Sequence, residues 1–177
     1  ALYSQHKGIY REVQAQTLAT LQDVALQNKK GAEKELANTQ KLLSDITAVI
    51  QLRHPNMASD SDLRNILPEL QRFASTYGFK RMGVILPNGI TYTTDNYVYD
   101  LSGEEAYLYG MQGLPNITEA LRDEIGVADW INVFSRPLYN PSNEVIGVIY
   151  AVYHTKSFKE LLTVDAFNGE GYSYIIN

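Results

Sequence analysis

The chain has 177 residues, with 20 acidic against 15 basic side chains and no cysteine, which fits one ordinary domain or one domain with an appendage. A hydrophobic share of 45% with 20% charged residues excludes intrinsic disorder, and the negative balance argues against nucleic acid as a partner. The absence of cysteine removes disulfide frameworks, thiol nucleophiles and cysteine-based zinc sites together.

Between Ile9 and Leu52 there is no proline and a single glycine, and Leu18, Leu21, Ala25, Ala32, Leu36, Leu43, Ile46 and Ile50 keep mostly three- and four-residue steps. That spacing predicts one long helix. At ~1.5 Å per residue it would run on the order of 60 Å, so its front half is expected to project and its aliphatic second half, Leu42 to Leu52, to dock on the core. The polar run Asn28 to Glu35, with Gly31 inside it, is the place for a bend. Pro55 ends the helix, because proline lacks the donor and pushes the preceding residue out of the helical region. A second helix follows, capped from among Ser59, Asp60, Ser61 and Asp62, with a restart at Pro68 and a stop at Gly78.

After Gly78 the pattern changes to strands and turns. Phe79 to Leu86 and Ile90 to Thr94 flank Asn88-Gly89, which predicts a hairpin with a primed turn. Asp100 to Gly113 reads as a short helix capped by Asp100 or Ser102, and Asn116 to Asp123 is ambiguous between strand and helix. Trp130 to Tyr139 and Val145 to His154 form a second hairpin rich in β-branched and aromatic residues. Thr155 to Leu162 reads as helix and Tyr172 to Ile176 as a short strand. The fold class is therefore α+β: a long N-terminal helix packed on an antiparallel sheet with helical insertions.

Side chains alternate along a strand. Gly147, Ile149 and Ala151 share one face of the last long strand, and Val148, Tyr150 and Val152 share the other; Trp130, Asn132, Phe134 and Arg136 share a face of its neighbour. The small residues Gly147 and Ala151 are expected under the long helix. If the Tyr150 face and the Trp130 face point the same way, Tyr92, Tyr107, Trp130, Asn132, Arg136 and Tyr150 line an aromatic pocket for a small organic ligand, such as an acid held by arginine. Ten of the thirteen tyrosines lie between Tyr92 and Tyr174, and a phenol suits pockets and interfaces equally.

For catalysis the chain offers no nucleophile elbow, phosphate loop or His-Glu-x-x-His motif. His6, His54 and His154 lack metal-ligand spacing. Neither an enzyme, a cofactor nor a metal site is expected.

Val145-Ile146-Gly147-Val148-Ile149-Tyr150-Ala151-Val152-Tyr153, following Arg136-Pro137-Leu138-Tyr139, resembles the final hairpin of the PAS-like extracytoplasmic Cache sensor domains. Asn88 to Asp95 is similar to that family's first hairpin, and Asp100 to Gly113 lies where its members often carry an Asp-Ile-Ser, Arg-x-Tyr-Phe, then Gly pattern. Phe167 to Ile176 looks like the segment that joins the two modules of a double Cache sensor. The chain departs from the pattern in two places: Glu104, Ala106 and Tyr107 stand at the Arg-x-Tyr-Phe positions, and Val152 stands where amino-acid-sensing relatives carry an aspartate. The resemblance thus implies a sensor module more than an amino-acid receptor.

It further implies the input domain of a bacterial transmembrane receptor, such as a diguanylate cyclase or histidine kinase. The domain would lie outside the cytoplasmic membrane, bound to it only through flanking spans. Residues 1–56 would be a stalk and docking helix that also dimerises, 57–165 the sensor, and 166–177 the start of a following module or a terminal strand. The alternative is a structural or adhesive module that binds protein and no small molecule.

Overall fold

The structure, a computed structural model, describes residues 2–155, with side chains from Gln5 onward. The strand expected at Tyr172 to Ile176, the joining segment from Phe167, and the helix expected at Thr155 to Leu162, apart from Thr155 itself, lie outside the described residues.

Helix α1, Leu2–Arg53, is unbroken through Gly31. One glycine costs about 1 kcal/mol against alanine, which flanking lysine, glutamate and alanine residues, all good helix formers, can absorb. It ends immediately before His54-Pro55. The chain divides into two compact units. One contains α1 as far as Glu35, and the other spans Leu36–Ser157 and contains the sheet.

The predicted second helix is two helices, α2 at Asp60–Asn65 and α3 at Leu67–Tyr77. Ser59 caps α2 through a capping box in which its hydroxyl accepts from Asp62 N at 3.1 Å while the Asp62 carboxylate accepts from Ser59 N at 2.9 Å. Pro68 falls in the first turn of α3, where its missing N–H is harmless, and Gly78 closes α3 at φ 73°.

Among the described residues seven strands make one antiparallel sheet: β1 Arg81–Ile85, β2 Ile90–Thr93, β3 Val98–Asp100, β4 Asn116–Ile117, β5 Leu121–Arg122, β6 Trp130–Tyr139 and β7 Val145–His154. The order is β3-β2-β1-β7-β6-β4, and β5 also pairs with β6. The ambiguous stretch 116–123 is thus two short strands along β6. The first hairpin differs from the primed turn expected of Asn-Gly. Only Gly89 has positive φ, at 87°, and Gly89 N donates to Leu86 O at 2.9 Å across Pro87-Asn88. Proline fixes the φ of an ordinary turn, and glycine alone takes the left-handed position after it. Helix α4, Glu105–Met111, begins after Glu104 with no side-chain cap. Asp100 Oδ1 instead accepts from Ser102 N at 2.8 Å, so it caps the preceding turn.

The sheet is covered on both faces. Gly147 faces α2, where an added Cβ would lie 2.9 Å from a Leu63 methyl. This glycine therefore sits under α2, and not under the long helix as expected. The same side buries Met82, Val84, Phe134, Leu138, Ile149 and Ala151. From α1 come the buried Leu43, Ile46 and Ile50, and Gln40 Nε2 reaches Ser135 O and Asn116 O at 3.4 Å each. On the other face lies α4, whose Gly110 rests on Val148; a Cβ there would meet Val148 Cγ2 at 2.4 Å.

Candidate functional site

Register decides which side chains meet. Tyr150 pairs with Gly83 on one side and Ser135 on the other, whereas Ala151 pairs with Phe134 and Met82. Hence Arg81, Gly83, Ile85, Thr91, Thr93, Tyr99, Ile131, Val133, Ser135, Val148, Tyr150 and Val152 point toward α4. Trp130, Asn132, Phe134 and Arg136 do share a face, as the alternation requires, but it is the opposite one. Tyr92 lies there too: it pairs with Val84, and the Arg64 guanidinium of α2 sits 5.2 Å from its ring centroid.

The six residues singled out in the sequence therefore do not form one pocket. Tyr107 and Tyr150 are on the α4 side, and Tyr107 OH donates to Pro87 O at 2.7 Å. Trp130 is half exposed. Asn132 is buried, donates to Thr118 O at 3.0 Å and accepts from Thr155 Oγ1 at 3.1 Å. Arg136 stands beside Ile149. The periodicity was right within each strand, but it contains no information on which residues of neighbouring strands are paired.

The α4 face is closed. Ile85, Ala106, Ile131, Val148, Tyr150 and Val152 form a buried cluster, flanked by half-buried Leu101, Tyr107, Met111, Leu121 and Val133. The Tyr150 ring lies over Gly83, where an added Cβ would be 2.6 Å from Cε1. Its hydroxyl meets Tyr99 OH at 2.7 Å. Burial raises the pKa of both phenols above the usual tyrosine range, so the pair is neutral. Ser135 is fully buried, and among the described residues its Oγ has no hydrogen-bond partner.

At the β1 end of this face Arg81 is 2% exposed. Its Nε donates to Asp95 Oδ2 at 2.8 Å, Nη1 to Asp123 Oδ2 at 2.7 Å and Nη2 to Ile125 O at 3.0 Å, while the Tyr97 ring centroid is 5.9 Å away. Lys80 Nζ adds 2.5 Å to Asp123 Oδ2 and 2.8 Å to Val127 O. Burial alone would raise the Asp123 pKa, but Lys80, the Ile125 N–H and Arg81 outweigh it and hold the carboxylate ionised. For Arg81, burial would lower the pKa, and the two aspartates reverse the direction. Together these groups strap the 118–129 loop to the sheet.

Sequence reasoning missed Arg81, Tyr99, Asp123 and Ser135. Tyr99 sits on a three-residue strand too short to show alternation. For Arg81 there was a usable signal: a charge opening the buried run Met82 to Leu86 requires carboxylate partners.

No protein-family model and no curated protein sequence matches the chain. Among solved structures it is similar to the ligand-binding domain of the Campylobacter jejuni chemoreceptor Tlp3 in complex with L-norvaline, with TM-score 0.70 and 14% identity over 84% of this chain and 62% of that one. The chain is also similar to the ligand-binding domain of the Pseudomonas aeruginosa PAO1 amino acid chemoreceptor PctC with GABA, at TM-score 0.63 and 14% identity over 80% of this chain and 65% of that one. The extracellular domain of rpHK1S-Z16, described as a histidine kinase, matches at TM-score 0.58 and 18% identity over 84% and 61%.

The chain shares the α+β fold of these domains, of the Cache/PAS-like kind. The chain spans less than two thirds of the length of these structures. In this Cache fold no described helix is long and apolar enough to cross a membrane.

Proposed function

We propose that the chain is the ligand-sensing input domain of a transmembrane signalling receptor, lying outside the cytoplasm and binding a small organic molecule between α4 and the sheet. One observation supports this reading above the others. The α4 face, alone of the two, has fully buried hydroxyls set among aliphatic side chains, an arrangement that packing does not require and that ligand recognition uses. The fold shared with chemoreceptor and histidine-kinase sensory domains is consistent with it. On binding, a shift of α4 and the sheet would change the population of packings against α1, the mechanical output of such a domain. A broad thermal-shift screen of organic acids, amines, sugars and nucleobases tests it, since a ligand at 100 times its Kd adds about 2.7 kcal/mol.

The closed state of that face favours a second reading, a protein-interaction module with no small ligand. No shift from any compound in the screen selects it. In either case α1 is proposed to mediate a homodimer, because Ile9, Tyr10, Val13, Leu18, Leu21 and Leu26 are each about half exposed or more. The mass in solution of the full chain and of Leu18→Glu/Leu21→Glu checks this; a monomer in both would remove the dimer.

A further inference from the structure

Resting on the sensing reading above, we propose that the ligand is a small uncharged molecule with an apolar body and a hydrogen-bonding oxygen, held under α4 with Ser135 and the Tyr99–Tyr150 pair as its polar contacts. Among the described residues the basic side chains that β1, β2, β3, β6 and β7 direct to this face are His154, whose Nδ1 lies 2.8 Å from Asp129 Oδ2, and Arg81. Its guanidinium is already bonded to Asp95, Asp123 and Ile125 O. Val152, directly opposite Arg81 in the sheet, supplies no second charge. A zwitterion would need a cation for its carboxylate and a carboxylate for its amine, and on this face such groups are already paired, Arg81 with Asp95 and Asp123 and His154 with Asp129. Recruiting Arg81 or Asp123 would leave a buried charge unpaired.

Most hydroxyls on the face are engaged within the protein. Thr91 Oγ1 donates to Gly89 O at 3.2 Å, Thr93 Oγ1 to Tyr97 O at 3.2 Å, and Tyr107 OH to Pro87 O. What remains among the described residues is Ser135 Oγ and the second hydrogen of the tyrosine pair, since two hydroxyls sharing one hydrogen bond keep one donor over. Tyr150 leans over Gly83 on β1 while Ser135 stands beside it on β6, so the two polar points lie on opposite sides of β7. A buried hydroxyl without a partner costs stability, and a ligand oxygen would restore it. Small size follows from the close seat of Gly110 on Val148. The half-buried Leu101, Tyr107, Met111, Leu121 and Val133 form the edge of the cluster. By contrast, the cleft of about 280 Å³ lined by His54, Asn56, Met57, Asp62 and Asn65 has its ionisable groups engaged in the His54–Glu69 pair and the α2 cap.

The test measures the Tm of the full chain with phenol, cyclohexanone or 1-butanol, and with L-norvaline, GABA or L-arginine at the same concentration. At least one uncharged compound is expected to raise Tm by about 3 °C or more, with no shift from the amino acids. In Ser135→Ala, which keeps the space, and in Ser135→Val, which fills it, apparent affinity should fall at least about fivefold while circular dichroism is unchanged. A shift from an amino acid alone would overturn the uncharged-ligand assignment and leave the sensing reading standing. An uncharged compound that binds both Ser135 variants as tightly as the parent would overturn the site. If none of the six compounds shifts Tm, the assignment falls, and the broader screen decides the sensing reading separately.

Discussion

The two faces of this sheet are buried to the same degree by different chemistry. Toward α2 and α3 the strands present Met82, Val84, Phe134, Leu138, Ile149 and Ala151, all of them apolar and buried, and one buried polar side chain, Asn132, whose amide is bonded to Thr118 O and Thr155 Oγ1. Toward α4 they present valines and isoleucines interrupted by Arg81, Tyr99, Ser135 and Tyr150, three of which are at most 2% exposed. Each buried polar group must find a partner or destabilise the fold. Arg81 spends its bonds on the 118–129 loop and Asn132 on Thr118 and Thr155, so what sets the α4 side apart is the buried hydroxyl of Ser135, which has no partner among the described residues, and the Tyr99–Tyr150 pair.

The contrast breaks first if the α2 and α3 side tolerates truncation. Phe134→Ala is expected to cost about 3–5 kcal/mol in urea unfolding, since it opens a cavity among fully buried neighbours. A loss under about 1 kcal/mol would mean that this face is not the core.

On the α4 side the largest effect belongs to Arg81. Replacing it with methionine leaves the buried Asp123 with Lys80 and the Ile125 N–H alone, and about 3–5 kcal/mol should be lost. Adding Asp123→Leu should return part of that, because it removes the buried carboxylate, while Lys80 keeps only Val127 O of its two partners. If the double variant is no better than the single one, the cluster is not acting as a pair.

The acid limb sharpens the same point. Asp123, Glu69, Asp62 and Asp100 all have pKa values lowered in the fold. Each therefore contributes stability that is present above its unfolded value and is lost as pH falls through its depressed folded value. Unfolding free energy should be flat near neutrality and fall below about pH 4, less steeply in Asp123→Asn. An identical slope in that variant would show that Asp123 gains nothing from its partners.

The elements themselves were readable because their signals are local. Ser59, Pro68 and Gly78 are start, restart and stop residues whose effect needs no neighbours, and the long hairpin 130–154 announces itself by β-branched residues around Asn140 to Asn143. The site was legible only in halves. Tyr107 and Tyr150 reach the α4 side, but a one-residue change in the pairing of β6 with β7 would have brought Trp130, Asn132 and Arg136 there in place of Ile131, Val133 and Ser135. Pairing is set by which strand face each helix covers, a tertiary choice that no single strand encodes. Ser135 had no chance of notice, since a serine between two aromatic and cationic neighbours looks unremarkable until its burial is known.

That serine gives the smallest effect and the sharpest reading of the two faces. A buried hydroxyl with a protein partner typically contributes about 0.5–1.5 kcal/mol, whereas one without a partner is a net cost. Ser135→Ala should therefore leave the unliganded chain unchanged or more stable by up to about 1 kcal/mol, with the urea m-value unaltered. The same substitution is expected to weaken ligand binding, so stability and affinity should move in opposite directions. Were both to fall together, Ser135 Oγ would be holding the fold, and the α4 side would be a second structural core.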